Sequence, residues 1–269
     1  MSARDDLDEA VTRGRIGMIL AMEGVEPLGY SPELIEIFWL LGVRMVAITW
    51  NRQNPFADVA AESATSGLTA LGRTLLDLML ARGIVLDLAH SSQRTFFDVL
   101  ERAAGCPTLV SHACCRTLLD TPRNLSHEQM RALAEVDGLL GVMAIPLGVD
   151  TTNPTIDRVV DHIDHAVSVM GVNKVALGGD FMTQLVDSGV EPPFPAGAFL
   201  PPGMSMGTPN TGLAGPQDYP ALIEALTRRG YSRDDVSAIA GGNLIRFLQA
   251  ALPATTVRAG LTPSGAGAA

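Results

Sequence analysis

The expected fold is α/β, a parallel sheet of the (β/α)8 barrel type, and three observations lead to it. Six short apolar runs recur along the chain of 269 residues. Longer stretches with apolar residues at helical spacing separate them. A polar side chain of the kind that does chemistry stands at the C-terminal end of most of the runs.

The runs are Ile16–Met22, Val43–Thr49, Ile84–Leu88, Thr108–Ser111, Leu139–Ile145 and Val175–Gly178. Most are rich in Val, Ile or Leu, and they are apolar at odd and even positions alike. Strands covered on both faces by helices have this pattern. Between them, Ser31-Pro32 offers a cap and a proline at the first helical position for a helix to Leu41. Leu71–Arg82 repeats apolar residues at helical spacing and stops at Gly83. Ser126-His127-Glu128-Gln129 reads as a capping box opening a helix to about Val136. Thr155–Met170 is a long amphipathic helix ended by Gly171, and Pro220–Arg229 and Arg233–Phe247 are two final helices, the second capped by Ser232.

Strand–helix alternation of this kind ends in a doubly wound open sheet or in a barrel. No G-x-G-x-x-G follows any run, so the dinucleotide-binding open sheet has no support. Glu23 follows the first run, Asn51 the second, His90 the third, His112 the fourth and Asp180 the sixth. In a barrel such strand ends converge on one mouth, whereas in an open sheet they spread along an edge. The series favours the barrel. Residues 1–252 are expected to form that domain, 181–216, rich in Pro and Gly, a rim or lid loop within it, and 253–269 a disordered tail.

Composition excludes several classes. With 47% hydrophobic and 18% charged residues the chain is globular rather than disordered. The formal net charge is −10 and Lys174 is the only lysine, so the basic stripe of a nucleic-acid binder is missing. No apolar run reaches the ~18 residues of a membrane span. The polar start, Met1-Ser2-Ala3-Arg4-Asp5-Asp6, lacks the apolar centre of a signal peptide. Cys106, Cys114 and Cys115 are too few and too clustered for a disulfide framework, and they lack C-x-x-C spacing. A reducing cytoplasm is the expected setting.

Glu23, His90 and His112 form the sharpest constellation. Imidazole and carboxylate are zinc ligands, and a His2Glu set with an open position is a catalytic zinc arrangement. Zinc held so lowers the pKa of bound water and polarises a carbonyl. Any one of the three could be an isolated polar residue, but their recurrence at strand ends favours the ligand reading. Asp180, between flexible glycines and Phe181, could orient or deprotonate water, or simply cap a loop. His162-Ile163-Asp164-His165 resembles a metal motif, yet i and i+2 diverge on a helix, so it reads as a solvated helix face. His127 belongs to the capping box. Cys114 and Cys115 read as small buried residues rather than nucleophiles. The Arg123 fork could grip a carboxylate.

At these positions the chain resembles the membrane (renal) dipeptidase family, the M19 metallopeptidases. The resemblance is carried by Ala21-Met22-Glu23-Gly24, Ile48-Thr49-Trp50-Asn51-Arg52-Gln53-Asn54, Gly67-Leu68-Thr69 with Gly72-Arg73, Leu86-Asp87-Leu88-Ala89-His90, Ser111-His112, Pro122-Arg123-Asn124-Leu125, Gly178-Gly179-Asp180-Phe181, and Asp218-Tyr219-Pro220 through Gly242-Asn243-Leu244. It looks closest to a bacterial branch with a long Pro-rich loop after the last strand. It implies a (β/α)8 barrel that holds two zinc ions, acts on small dipeptide substrates through metal-activated water, and forms homodimers. Glu23 would match the bridging carboxylate, and His90 and His112 the two histidines of one metal. Arg123 would match the residue that holds the substrate carboxylate, and Asp180 the acid of proton transfer or amine contact.

The chain also departs from the family. Trp50 stands where mammalian members carry a substrate-contacting histidine, and Met182 where many members have a second aspartate. The family opens with a strand ending in H-x-D that supplies further metal ligands, and none precedes Glu23 here. Six strands stand against the eight of a barrel, which implies that the first βα units, on the order of 100 residues, are missing. The expectation is therefore a zinc-dependent dipeptidase-like hydrolase retaining one metal half-site. The alternatives are a truncated non-catalytic homologue that binds metal or a partner, and an amidohydrolase acting on another small amide.

Overall fold

The computed structural model describes residues 1–62, 66–181 and 212–255. Strands form where the apolar runs predict them: β1 (Leu20–Glu23), β2 (Val43–Ala47), β3 (Val85–Asp87), β4 (Thr108–Ala113), β5 (Leu139–Val142) and β6 (Val175–Leu177). They make one sheet in the order β1-β2-β3-β4-β5-β6, every neighbouring pair parallel. Strands laid down in sequence order, with no reversal point, are the arrangement of a barrel wall and not of a doubly wound sheet. Among the described residues β1 and β6 are the sheet's two edges.

The continuous apolarity of the runs has a direct cause. Leu86, Val110, Leu140 and Val175 face the helix layer and join a core with Leu75, Phe96, Met130 and Ile163. Their neighbours Val85, Leu109, Leu139 and Ala176 point to the other side and form a separate cluster with Met45, Phe247 and Ala251. Alternate residues thus pack on opposite faces, and both faces are dry.

The helices are α1 (Arg4–Thr12), α2 (Ile35–Leu40), α3 (Ala70–Ala81), α4 (Gln93–Arg102), α5 (His127–Glu135), α6 (Pro146–Val149), α7 (Ile156–Met170), α8 (Tyr219–Arg229), α9 (Arg233–Ser237) and α10 (Asn243–Ala251). The caps are formed as expected for α5, where the Ser126 hydroxyl accepts from Gln129 N–H (3.2 Å) and Gln129 Oε1 accepts from Ser126 N–H (3.0 Å). Thr155 caps α7 and Ser232 caps α9 through Asp235 N–H (3.1 Å). Thr69 and Ser92 cap α3 and α4 in the same way.

Three boundaries differ from the sequence reading. β1 starts at Leu20, not Ile16, because its one strand partner among the described residues, β2, starts opposite Leu20 at Val43. Upstream of that point Ile16 and Met18 are 99% and 71% exposed. Ser31 makes no side-chain cap; Pro32–Leu34 is a 3-10 turn that leads into α2. The helix expected over Arg233–Phe247 breaks where Gly241 leaves helical geometry (φ 173°, ψ −23°) inside a π-type turn, and α10 then runs to Ala251. The rim or lid loop expected over 181–216 and the tail over 253–269 lie largely outside the described residues. No helix among the described residues is long and apolar enough to cross a membrane.

Candidate metal centre

Three strand ends bring their polar residues to one point. Glu23 is the last residue of β1, His112 lies near the end of β4, and His90 follows β3 by a short turn. Asp87 builds that turn. Its buried carboxylate accepts Ala89 N–H (3.0 Å) and Ser111 N–H (2.9 Å), tying the end of β3 to β4. The turn leaves His90 in the left-handed region at φ 64°. Such a conformation costs roughly 1–3 kcal/mol and persists only where the surroundings enforce it. Here Ala60 N–H donates to the His90 carbonyl (2.7 Å), and Val59 bridges to Ser91.

His112 is aimed by an irregularity in β4. Val110 pairs with Leu140, but the next pair is Ala113 with Val142, so Ser111 and His112 are out of register. The Ser111 carbonyl bulges against Gly141 and Gly178, where an added Cβ would lie 2.1 and 2.0 Å from it. Only glycine on β5 and after β6 permits that approach.

The result is a tight triad. His90 Nε2 lies 2.8 Å and His112 Nε2 3.1 Å from Glu23 Oε1, and the two nitrogens are 3.1 Å apart. The imidazoles meet edge to face, with centroids 5.1 Å apart. His112 Nδ1 is 2.7 Å from Ser111 Oγ, so with Nε2 turned to the triad the Nδ1–H donates to the serine. His90 Nδ1 is buried with no hydrogen-bond partner among the described residues. Asp180, also left-handed at φ 53°, brings Oδ2 to 3.8 Å from His112 Nε2.

Electrostatics match a cation site. Burial, with the Arg123 charge second, pushes His90 down to about 3, so the imidazole is neutral. Burial alone would raise Glu23, but its contacts with the His112 and His90 imidazoles outweigh it and hold the carboxyl well below the carboxylate range. Burial raises Asp180, opposed by His112. Two imidazole nitrogens and a carboxylate oxygen, all ligand atoms of the types a transition metal takes, face one another. Their 2.8–3.1 Å edges are close to the roughly 3.3 Å that tetrahedral bonds of about 2.0–2.1 Å imply. The donor set therefore fits a divalent metal. Among the described residues this is the one cluster of three or more His, Cys, Asp or Glu ligand atoms.

Arg123 sits on the β4–α5 loop. Burial lowers its pKa, and the carboxylates of Asp180, Glu23 and Asp87 raise it, which puts the guanidinium in the field of the same mouth. Its neighbour Asn124, 1% exposed, holds the loop: Oδ1 accepts Cys114 N–H (3.2 Å), and Nδ2 donates to Leu119 (3.0 Å) and Gly148 (2.8 Å) carbonyls. The Trp50 ring lies 6.5 Å from that of His90. Asn51 lies beyond the end of β2 on the loop that follows it. Cys114 and Cys115 are buried, and burial pushes the Cys115 thiol up to about 12, as befits packing residues.

One reading is overturned. His162 is not on a solvated face: it is fully buried, accepts Cys115 N–H on Nδ1 (3.1 Å) and donates from Nε2 to Val149 (2.9 Å). Its position on α7 is turned to the sheet, so the loop after β4 supplies the partner that periodicity alone does not reveal. The same helix presents His165 outward, where it meets His127. Sequence reasoning gave no role to Asp87, Ser111 or Asn124. A polar residue inside an apolar run was the available signal for Asp87 and Ser111; Asn124 carried none. Met182 falls outside the described residues.

A sequence-ordered parallel sheet with two imidazoles and a carboxylate at its C-terminal mouth defines a barrel-type metal-binding protein. The chain belongs to the membrane dipeptidase family, peptidase family M19, whose family model matches residues 1–192. An uncharacterized dipeptidase of Schizosaccharomyces pombe is 30% identical over 239 residues, covering 87% of this chain and 53% of the relative. A dipeptidase of Aspergillus oryzae is 30% identical over 243 residues, covering 87% and 51%. The chain thus spans about half the length of the curated relatives it matches. Two solved structures share the fold. One is an amidohydrolase from Pseudomonas aeruginosa (TM-score 0.78, 24% identity, 92% of this chain and 76% of that one). The other is a metallopeptidase from Rhodobacter sphaeroides bound to a phosphinate mimic of the dipeptide L-Ala-D-Ala (TM-score 0.79, 22% identity, 93% and 68%).

Proposed function

We propose that this protein hydrolyses the peptide bond of small dipeptides and that Glu23, His90 and His112 hold a zinc ion for that reaction. The observation that carries the reading is the convergence of His90 Nε2 and His112 Nε2 on Glu23 Oε1 at 2.8 and 3.1 Å. Zinc bound there supplies Lewis acidity, polarising the scissile carbonyl and making water a better nucleophile at neutral pH. Ser111 holds the His112 ring in the ligating tautomer. Asp180, adjacent to His112 and raised by burial, accepts a proton from the attacking water and delivers it to the leaving amine. Arg123 binds the substrate's free carboxylate, and the Trp50 indole forms an apolar wall beside His90.

A second reading, hydrolysis of another small amide, is favoured by the fold shared with the Pseudomonas aeruginosa amidohydrolase and by an indole at position 50. One experiment addresses both. Zinc per chain is measured by elemental mass spectrometry, and the same preparation is assayed against L,L and L,D dipeptides and simple amides. About one zinc per chain with dipeptide turnover is expected from the three ligands present. Folded protein without zinc overturns the reading; zinc with turnover of amides but no dipeptide selects the second.

A further inference from the structure

Outside the strand ends, another pair of ligating nitrogens stands face to face. His127 is the first residue of α5 and His165 lies in the third turn of α7. Their Nε2 atoms are 2.7 Å apart, with the rings stacked at 23° and 4.7 Å between centroids. His127 is exposed and His165 half-buried, so solvent and ions reach both. We propose that His127 and His165 form a second, peripheral site for a divalent transition-metal ion, of the Zn2+, Ni2+ or Cu2+ type, that pins α5 to α7.

The geometry supports this in three ways. First, both rings present Nε2, not Nδ1, to each other, so two ligating nitrogens meet from two separate helices. A direct N–H···N bond uses the lone pair of only one of them, whereas a cation uses both. Second, the positions are fixed before any ligand arrives. The capping box that holds Ser126 and Gln129 sets the backbone of His127. His165 is carried by a helix of 15 residues whose Val159, Val160, Ile163 and Ala166 are buried. Little ordering is left to oppose binding. Third, the local charges select the ligand type. Asp161 and Asp164 on α7 are engaged by Arg229, Asp161 also by Arg158 (2.8 Å), and Asp164 also by the Tyr231 hydroxyl (2.9 Å). Glu128 accepts from Gln93 (3.4 Å). The carboxylates that a hard ion would need are occupied, and imidazole remains. Imidazole suits Cu2+, Ni2+ and Zn2+ over Mg2+ and Ca2+. Burial, with the His127 charge second, lowers the His165 pKa, the direction that favours a ligating imidazole.

The site owes nothing to Glu23, His90 or His112, so the two can be separated. The 269-residue chain carrying His112→Ala, which disables the strand-end centre, is titrated with Ni2+ by calorimetry. The same is done with His112→Ala/His127→Ala and His112→Ala/His165→Ala. The expected result is one Ni2+ event in the single variant, weakened at least ~10-fold in each double variant by loss of a nitrogen donor. Cu2+ added to the same proteins should show electron-spin coupling to two imidazole nitrogens, falling to one. Identical isotherms across the three proteins overturn the proposal. If His112→Ala does not fold, His127→Ala and His165→Ala are compared with the unsubstituted chain after loading each with one equivalent of Zn2+, which the three-ligand strand-end centre takes first. Each should then bind one Ni2+ fewer while retaining zinc at the strand ends, and equal Ni2+ counts overturn the proposal.

Discussion

The two sides of the strand-end centre are built by different means. On the β4 side, His112 rises from the middle of the sheet, its ring fixed by Ser111, its strand by the Asp87 clamp, and the following loop by Asn124 and His162. On the β1 side, Glu23 ends an edge strand whose residues are mostly exposed, and its own side chain is 43% exposed. The histidines are held by the fold, and the carboxylate is held by the histidines. For the proposed metal site this means a rigid half that would define where a cation sits and a less constrained half that would complete its ligand set. Removing a group from the rigid half should therefore cost far more than removing one from the less constrained half.

The largest effect expected is on metal binding. His112→Ala should lower zinc affinity by more than ~100-fold, beyond the 10–100-fold typical of outer residues that merely orient a ligand. Glu23→Gln, which keeps the imidazole pair, should cost about tenfold. Competition with a fluorescent chelator measures both. Equal losses would break the asymmetry, because Glu23 would then be as fixed as the histidines.

Stability should follow the same division. Asn124→Ala removes three hydrogen bonds, two of them buried, and leaves Cys114 N–H and the Leu119 and Gly148 carbonyls without that partner. At about 1 kcal/mol each, with an added penalty for a group left dry, the loss should be near 3 kcal/mol. Leu20→Ser at the start of β1, where the side chain is 49% exposed, should change stability by less than ~1 kcal/mol. Urea unfolding of the two variants tests the contrast directly.

What could be read from sequence follows the same line. The six strands were legible because each carries apolar residues on both faces, as Leu86 and its neighbour Val85 show by packing into opposite clusters. Glu23, His90 and His112 were legible because a polar residue directly after such a run is conspicuous. The supports were not. His162 has the same spacing whether it faces water or Cys115, and only the packing of α7 against the sheet decides. Asn124 looks like a loop residue until the fold sets its side chain between Cys114, Leu119 and the Gly148 carbonyl 24 residues away. The left-handed backbone at His90 and Asp180 gives no signal in a residue type that is not glycine.

Substrate binding should show a smaller effect than metal binding. Arg123→Ala should raise KM for dipeptides about 10–100-fold, the range for losing a charge-assisted hydrogen bond, and leave KM for C-terminally amidated substrates nearly unchanged. The comparison is internal, since both substrates meet the same metal centre. If both KM values rise together, Arg123 shapes the mouth rather than binding the carboxylate. If neither moves, it lies outside the site.

The smallest perturbation probes whether the β4 side is as closed as its hydrogen bonds suggest. Cys114 and Cys115 follow His112 by two and three residues and are buried, while Cys106, before β4, is half-buried. A thiol reacts as thiolate, and burial raises both Cys114 and Cys115, the latter to about 12. Even at pH 8.5 the native chain should therefore take up label at Cys106 and not at Cys114 or Cys115, with all three labelled in urea. Intact mass followed by peptide mapping reads the sites. Labelling of Cys115 in native protein would mean that the Cys115–His162 contact opens on the time scale of the reaction. The rigid half would then be only kinetically closed, and the ranking of His112 above Glu23 would need a source other than the stiffness of β4.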